Sequence, residues 1–134
     1  MIRVVLDTNI LISAVLSPQG PPAQVFLMTI LDPETRLCVS GDIYAEYEEV
    51  LRRPRLNRND GEIQATLRTV REKGYWVKPT EKVRACSDPD DDIFLECALT
   101  AVAHYLVTGN TKDFLSAWAE TQIVTARQFL DSVL

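Results

Sequence analysis

Apolar residues along the chain follow two spacings: short runs typical of buried strands, and longer stripes typical of helices packed on one face. The short runs predict strands at residues 3–6, 37–40, 75–77, 105–108 and 122–124. The stripes predict helices at residues 9–16, 21–31, 41–51, 60–74, 91–103, 112–119 and 125–134. Strands that alternate with helices favour a parallel sheet covered on both faces. The pattern therefore predicts an α/β fold, a three-layer α/β/α sandwich with a mainly parallel central sheet.

The length of the chain and its lack of linker-like stretches indicate its organisation. A chain of 134 residues without repeats is expected to form one domain over residues 1–134. No apolar run is long enough to cross a bilayer, and the first residues do not resemble a secretion signal. The three cysteines are scattered and lack metal-ligand spacing. We therefore expect a cytoplasmic protein that does not associate with membranes.

Two acidic residues in the first half of the chain point to a functional site. In parallel α/β sheets, ligands bind at the carboxyl ends of the strands. Asp7 directly follows the first predicted strand, although its alternative role is to cap the next helix. Glu46 falls at the edge of the apolar stripe of its helix, beside Ile43 and Val50, where a carboxylate needs a partner or a metal ion. A surface ion pair is the alternative for Glu46.

Two further acids occupy comparable positions in the second half. In the acidic run 88–92, the first acids fit a solvated loop that caps a helix, whereas Asp92 begins the apolar helix on the same face as Leu95. Glu96, one turn further on, is a candidate extra acid, with a solvent-facing side chain as the alternative. Asp113 follows the strand at 105–108, although it could serve only as a first-turn acid favoured by the helix dipole.

Carboxylates that meet at one crevice repel one another unless a cation compensates their charge. Oxygen ligands without thiols favour Mg²⁺ or Mn²⁺ over zinc or iron. Metal held by acids, with no nucleophilic Ser, Cys or His, indicates an activated water that attacks a phosphate ester. We therefore predict a metal-dependent catalytic site formed by Asp7, Glu46, Asp92 and Asp113.

The net charge of −5 conceals an uneven distribution along the chain. Residues 51–84 contain ten of the fourteen basic residues and four of the nineteen acidic ones, a net +6, while the rest carries −11. A solvated helix face is one explanation, but an acidic site also needs a neighbouring basic surface to attract a polyanion. We expect phosphate contacts from four arginines that follow the Glu46 helix: Arg52, Arg53, Arg55 and Arg58.

Four motifs in this chain resemble those of the PIN domain family. They are Val4-Val5-Leu6-Asp7-Thr8-Asn9, Glu46 with Val50-Leu51, Asp92 before its apolar helix, and Thr108-x-Asn110-x-x-Asp113-Phe114. Each is short, but the four occur in the family's order over almost the whole chain. Longer details, at residues 11–14 and 88–98, resemble VapC-like ribonucleases, the toxin components of bacterial and archaeal toxin–antitoxin pairs.

This resemblance implies a three-layer fold, RNA cleavage dependent on Mg²⁺ or Mn²⁺, a homodimer, and a protein antitoxin as partner. It assigns the metal-site acids to Asp7, Glu46, Asp92 and Asp113, and polar support to Asn9, Thr108 and Asn110. Many members carry Asp where this chain has Asn110, so this position is not counted among the metal-site acids here. Attack by water would leave a 3′-hydroxyl and a 5′-phosphate.

Two other functions fit part of the pattern. A non-catalytic PIN-like module would bind RNA or a protein without cutting, but it has no need for four mutually repelling acids. A Mg²⁺-binding receiver or phosphatase-like domain also places acids at strand ends. However, the phosphatase pattern has Asp where this chain has Asn9, and a receiver has two adjacent acids after the first strand. The favoured function is an endoribonuclease acting on single-stranded or structured RNA.

Overall fold

The computed structural model describes residues 1–86, 88–111, 114 and 117–134. Six strands within these residues form one sheet: β1 (Ile2–Leu6), β2 (Thr35–Val39), β3 (Tyr75–Trp76), β4 (Tyr105–Val107), β5 (Ala117–Trp118) and β6 (Thr121–Val124). Their order is β3-β2-β1-β4-β6-β5, and every neighbouring pair is parallel except β5 with β6. The predicted mainly parallel sheet is confirmed.

Several helices begin at a residue whose side chain caps them. The helices of the described residues are α1 (Thr8–Leu16), α2 (Pro21–Leu31), α3 (Gly41–Leu51), α4 (Asp60–Lys73), α5 (Asp92–Ala101) and α6 (Ala126–Val133). Ser40 caps α3, and Thr125 forms a capping box with Gln128 at the start of α6. Asn59 caps α4, with its side chain accepting the Glu62 amide. Short 3₁₀ helices at Pro54–Leu56 and Pro89–Asp91 precede α4 and α5.

Helices cover both faces of the sheet. Val4, Val5 and Leu6 of β1 are all fully buried, and successive residues of a strand point to opposite faces. Helix α5 packs against β1, β2 and β4, while α2 and α6 pack against strands and against each other. The three-layer α/β/α prediction is therefore confirmed. Among the described helices, none has both the length and the apolar character needed to span a membrane.

The helix predicted at residues 112–119 is wrong in its last part. Ala117 and Trp118 form β5, which pairs antiparallel with β6. Ala119 has a left-handed backbone conformation, with φ of 51°, in the turn between these strands. Pairing with the open edge of β6 outweighs the local helix preference. Residues 112, 113, 115 and 116 lie outside the described part of the chain.

The strand order places a crevice between β1 and β4. From β1 the chain continues to β2 and β3 on one side, whereas β4 is followed on its other side by β6 and β5. In parallel α/β sheets, ligands bind where the strand order changes direction in this way, beyond the carboxyl ends of the strands. Asp7 and Thr108 directly follow these two strands, and the Asp7 amide donates to the Val107 carbonyl at 2.9 Å. The two strand ends therefore lie side by side.

Candidate active site

An open cleft of about 430 Å³ lies at the carboxyl ends of β1 and β4. Its walls come from the start of α1, from α3, from the Pro54–Leu56 turn and from the loop before α5. The described residues that line it are acidic (Asp7, Glu46, Asp88, Asp90, Asp91), polar (Thr8, Asn9, Asn110), basic (Arg53, Arg55) and apolar (Ile12, Val50, Leu56, Phe114). A concave surface that carries five carboxylate groups, with two guanidinium groups at its side, suits a cation and a phosphate together.

Asp7 is held in place by the polar residues around it. Its side chain is 6% exposed, and its Oδ2 accepts hydrogen bonds from Thr108 Oγ1 at 2.7 Å and Asn9 Nδ2 at 3.1 Å. Thr108 Oγ1 in turn accepts from the Asn110 amide at 3.0 Å, and Asn9 Oδ1 from the Gly109 amide at 3.1 Å. Asp7 stands at the N-cap position of α1, yet its side chain makes no capping bond to that fully described helix. Its orientation is set by Thr108, which follows β4, and by Asn9 in the first turn of α1.

Glu46 faces Asp7 across the start of α1. Thr8 Oγ1 donates a hydrogen bond to Glu46 Oε2. Partial burial raises the pKa of Glu46; the Thr8 bond opposes this, and the negative charges of Asp7 and Asp90 raise the pKa further. The next residue, Tyr47, is fully buried, and its hydroxyl donates to the Leu6 carbonyl at 2.6 Å. This bond fixes α3 against the end of β1 and so sets where Glu46 lies.

The loop before α5 brings three acids to the cleft, although their sequence pattern predicts only a solvated loop that caps a helix. They are Asp88, Asp90 and Asp91. The loop is tight, because Asp88 accepts the Asp91 amide at its carbonyl (3.0 Å) and the Asp90 amide at Oδ1 (2.9 Å). Asp91 stands at the N-cap position of α5 but makes no side-chain capping bond to that helix, all of which is described. The signal for this turn was the Asp88-Pro89 pair, which favours turn initiation.

The structure does not bring Asp92 into the cleft. Its side chain is 5% exposed, and its Oδ1 accepts hydrogen bonds from the amides of Ala85 (3.1 Å) and Cys86 (2.8 Å). Burial acts to raise the pKa of Asp92, but these bonds and one from the Cys86 side chain hold it below its ordinary value. Glu96, the candidate extra acid, is also buried and accepts the Val83 amide at 3.0 Å. Both acids face the chain segment that precedes the loop.

The four arginines divide into two pairs. Arg53 and Arg55 line the cleft, and Arg53 also pairs with Glu49 at 3.0 Å. Arg52 and Arg58 are absent from the described lining of the cleft. Arg52 pairs with acids of α3 and α4, and Arg58 pairs with an acid of α4. The structure therefore supports cleft contacts for one pair only.

Comparison with known proteins identifies the family. A PIN domain family model matches residues 3–112 of this chain. The chain belongs to the PIN domain family. An uncharacterized protein of Methanocaldococcus jannaschii is 30% identical over 118 residues, 86% of this chain and 74% of the relative.

Two solved structures have a similar fold. One is VapBC2 from Rickettsia felis, bound to a DNA fragment from its promoter, with a TM-score of 0.62 and 14% sequence identity. The match covers 91% of this chain and 97% of the VapBC2 chain. The PIN domain endonuclease Utp24 gives 0.50 at 22% identity and covers 82% of this chain and 72% of that one. PIN domains are generally nucleases and typically use divalent metals. The family and the fold therefore favour a nuclease over the receiver or phosphatase-like alternative.

The chemistry of this PIN domain's cleft fits a hard divalent cation, because its donors are carboxylate, hydroxyl and amide oxygens. Within the described residues, no three acidic, histidine or cysteine side chains lie close enough to form a complete metal site. Asp113, the remaining predicted acid, lies outside the described residues, so its assignment stays a prediction. Asp7, Glu46 and the acids of the α5 loop are the described carboxylates that could contribute to the site.

Proposed function

We propose that this PIN domain is an endoribonuclease that depends on Mg²⁺ or Mn²⁺ and cleaves single-stranded or structured RNA. The observation that carries the proposal is the meeting of Asp7, Glu46 and the acidic loop before α5 in one cleft. Burial raises the pKa of Glu46 most, and the negative charges of Asp7 and Asp90 raise it further, which is the repulsion expected of acids that share a cleft. A structural role gains nothing from such repulsion, whereas a divalent cation would compensate it.

The residues of the cleft have distinct roles in this proposal. Asp7 and Glu46 bind the ion, assisted by acids of the α5 loop and by Asp113. A bound divalent ion supplies a water of lowered pKa and neutralises charge on the scissile phosphate. Thr108 and Asn9 hold the Asp7 carboxylate in one orientation, so it need not reorganise when substrate arrives. In-line attack by water on phosphorus breaks the bond to the 3′ oxygen and leaves a 3′-hydroxyl and a 5′-phosphate.

The proposal extends to the setting in which the nuclease acts. We take residues 1–134 as one nuclease domain that works in the cytoplasm as a homodimer. We also propose that it is the toxin of a toxin–antitoxin pair and that a protein antitoxin restrains it. The motif resemblance to VapC-like ribonucleases supports this setting, and so does the similarity in fold to VapBC2.

The test measures cleavage of a single-stranded RNA by purified wild-type protein and by Asp7→Asn. Wild type should cut with Mg²⁺ or Mn²⁺, stop when EDTA is added, and leave 5′-phosphate ends. Asp7→Asn keeps the shape of the side chain but loses its charge. Its rate should fall by more than ~100-fold, the upper end of losses that follow removal of an outer-shell group at a metal site.

Asp131→Asn provides the matched control, because Asp131 is exposed on α6 and takes no part in the cleft. It should cut at the wild-type rate. Equal activity of Asp7→Asn and Asp131→Asn, in preparations free of contaminating nuclease, would reject the site. A wild-type protein that binds RNA but never cuts it would support the non-catalytic module instead.

A further inference from the structure

Residues 82–86, here called the strap, run alongside the first turns of α5. No described residue of the strap belongs to a helix or a strand, so its amides lack the partners that regular structure provides. Asp92 Oδ1 accepts two of these amides, those of Ala85 at 3.1 Å and Cys86 at 2.8 Å. Glu96 Oε2 accepts a third, that of Val83, at 3.0 Å. Three strap amides are therefore satisfied by α5.

The two acids act from one face of α5. They are four residues apart, so their side chains lie one above the other on the helix. Asp92 is 5% exposed and Glu96 is 6% exposed. Burying a carboxylate is costly unless it is hydrogen-bonded, and these two obtain those bonds from backbone amides. The strap and α5 thus satisfy each other, because loss of either acid removes the acceptor of at least one strap amide.

The strap leads directly into the acidic loop of the cleft. The Asp92 bonds to the strap end at Cys86, two residues before Asp88, and Asp92 itself directly follows Asp91. Its carboxylate therefore joins the two ends of the loop that carries Asp88, Asp90 and Asp91 into the cleft. Hydrogen bonds to a charged group at the base of a loop restrict its conformations, which favours fixed positions for the described acids Asp88, Asp90 and Asp91.

We propose that Asp92 and Glu96 are positioning residues: they hold the strap and thereby fix the acids of the α5 loop at the cleft, without binding the metal themselves. This inference rests on the proposed nuclease function for its effect on metal binding. A positioning role and a metal-ligand role require different properties of the Asp92 side chain. An anchor needs an oxygen that accepts amide hydrogens, whereas a metal ligand in an acidic cleft needs the negative charge.

The first measurement is amide hydrogen exchange, which needs no metal. In Asp92→Ala the amides of Ala85 and Cys86 should exchange at least ~10-fold faster, because a charge-assisted bond has been lost. In Glu96→Ala the Val83 amide should respond in the same way. Amides of the loop at Asp90 and Asp91 should also exchange faster in Asp92→Ala. Asp131→Ala, an exposed acid of α6, is the control and should leave all of these rates unchanged.

The second measurement is Mn²⁺ affinity by calorimetry on the full chain, followed by RNA cleavage across Mn²⁺ concentrations. Asp92→Ala should weaken Mn²⁺ binding by ~10–100-fold, as loss of an outer-shell partner does, and high Mn²⁺ should restore much of its cleavage. Asp92→Asn keeps the acceptor oxygen and should lose less than ~10-fold. Asp7→Asn, which removes a ligand, should not be rescued by Mn²⁺.

Three outcomes would overturn the inference. One is an Asp92→Asn protein with normal strap exchange that loses Mn²⁺ as severely as Asp7→Asn, because Asp92 would then be a ligand. Another is an Asp92→Ala protein with a loosened strap but wild-type Mn²⁺ affinity. The third is unchanged exchange of the strap and loop amides in Asp92→Ala. A wild-type protein that binds no Mn²⁺ would refute the proposed function, while faster exchange of the loop amides in Asp92→Ala would still establish the anchor.

Discussion

The division of the four arginines gives a prediction about salt dependence. Arg53 and Arg55 flank Pro54 at the rim of the cleft, where a phosphate bound near Glu46 would lie within reach. Arg52 and Arg58 belong to the same basic segment and are similarly exposed, with side-chain exposures of 36% and 32%. The two pairs carry equal charge but differ in position. Replacing each pair with alanine therefore separates cleft contacts from general attraction of RNA.

The expected change in salt dependence follows from counterion release. Each phosphate of a single strand neutralised by a cation contributes about −0.7 to the slope of log K against log salt. The Glu49 pair does not prevent Arg53 from binding phosphate, because an exposed i,i+4 ion pair contributes only about 0.3–0.5 kcal/mol. Losing two contacts should flatten the slope by ~1.4, so that the parent would lose about sevenfold more affinity than the double variant on going from 50 to 200 mM salt.

The assay is fluorescence anisotropy of a labelled single-stranded RNA at several salt concentrations. Each pair of alanine substitutions is made in the Asp7→Asn protein, so that cleavage does not consume the labelled RNA. Arg53→Ala with Arg55→Ala should flatten the slope and weaken binding across unrelated RNA sequences. The other pair should leave the slope near that of the parent. Equal flattening by both pairs, or none by the cleft pair, would refute the placement of RNA phosphates at this rim.

Two further predictions concern stability. Burial and the charge of Asp7 raise the folded-state pKa of Glu46 above its ordinary 4.5, so wild type loses stability relative to Glu46→Gln as the pH rises above about 4.5. In EDTA, Glu46→Gln should therefore have a higher melting temperature than wild type at pH 7, and the two proteins should melt at the same temperature near pH 4. A Glu46→Gln protein that melts below wild type at pH 7 would contradict this. Tyr47→Phe removes the buried bond to the Leu6 carbonyl and should cost about 1–3 kcal/mol in urea unfolding, whereas Tyr75→Phe, at an exposed ring, should cost little.

Most of the fold follows from local patterns in the sequence. The apolar stripe of α3 and the prolines that open α2 depend on residues close together in the chain, and their helices have the predicted bounds of 41–51 and 21–31. The local pattern predicted a helix at Ala117 and Trp118, where the structure has a strand. Their conformation depends on pairing with β6, which a window along the chain does not contain.

In the candidate site, too, local patterns predicted some positions and tertiary contacts decided others. Asp7 and Glu46 could be placed from the sequence, because one ends a strand and the other lies at the edge of a helix stripe. Helical periodicity placed Asp92 on the same face as Leu95, and both residues are buried. It did not predict what Asp92 meets there, since the strap has no periodic pattern from which its path could be derived.

The sequence by itself determined the sheet, most of the helices and the positions of Asp7 and Glu46, because each depends on spacing along a regular element. Only the tertiary structure decided which acids of the run 88–92 line the cleft. Neighbouring aspartates have the same chemistry and differ only in direction. That direction is set by the strap, whose amides bind Asp92 and leave Asp88, Asp90 and Asp91 on the side of the cleft.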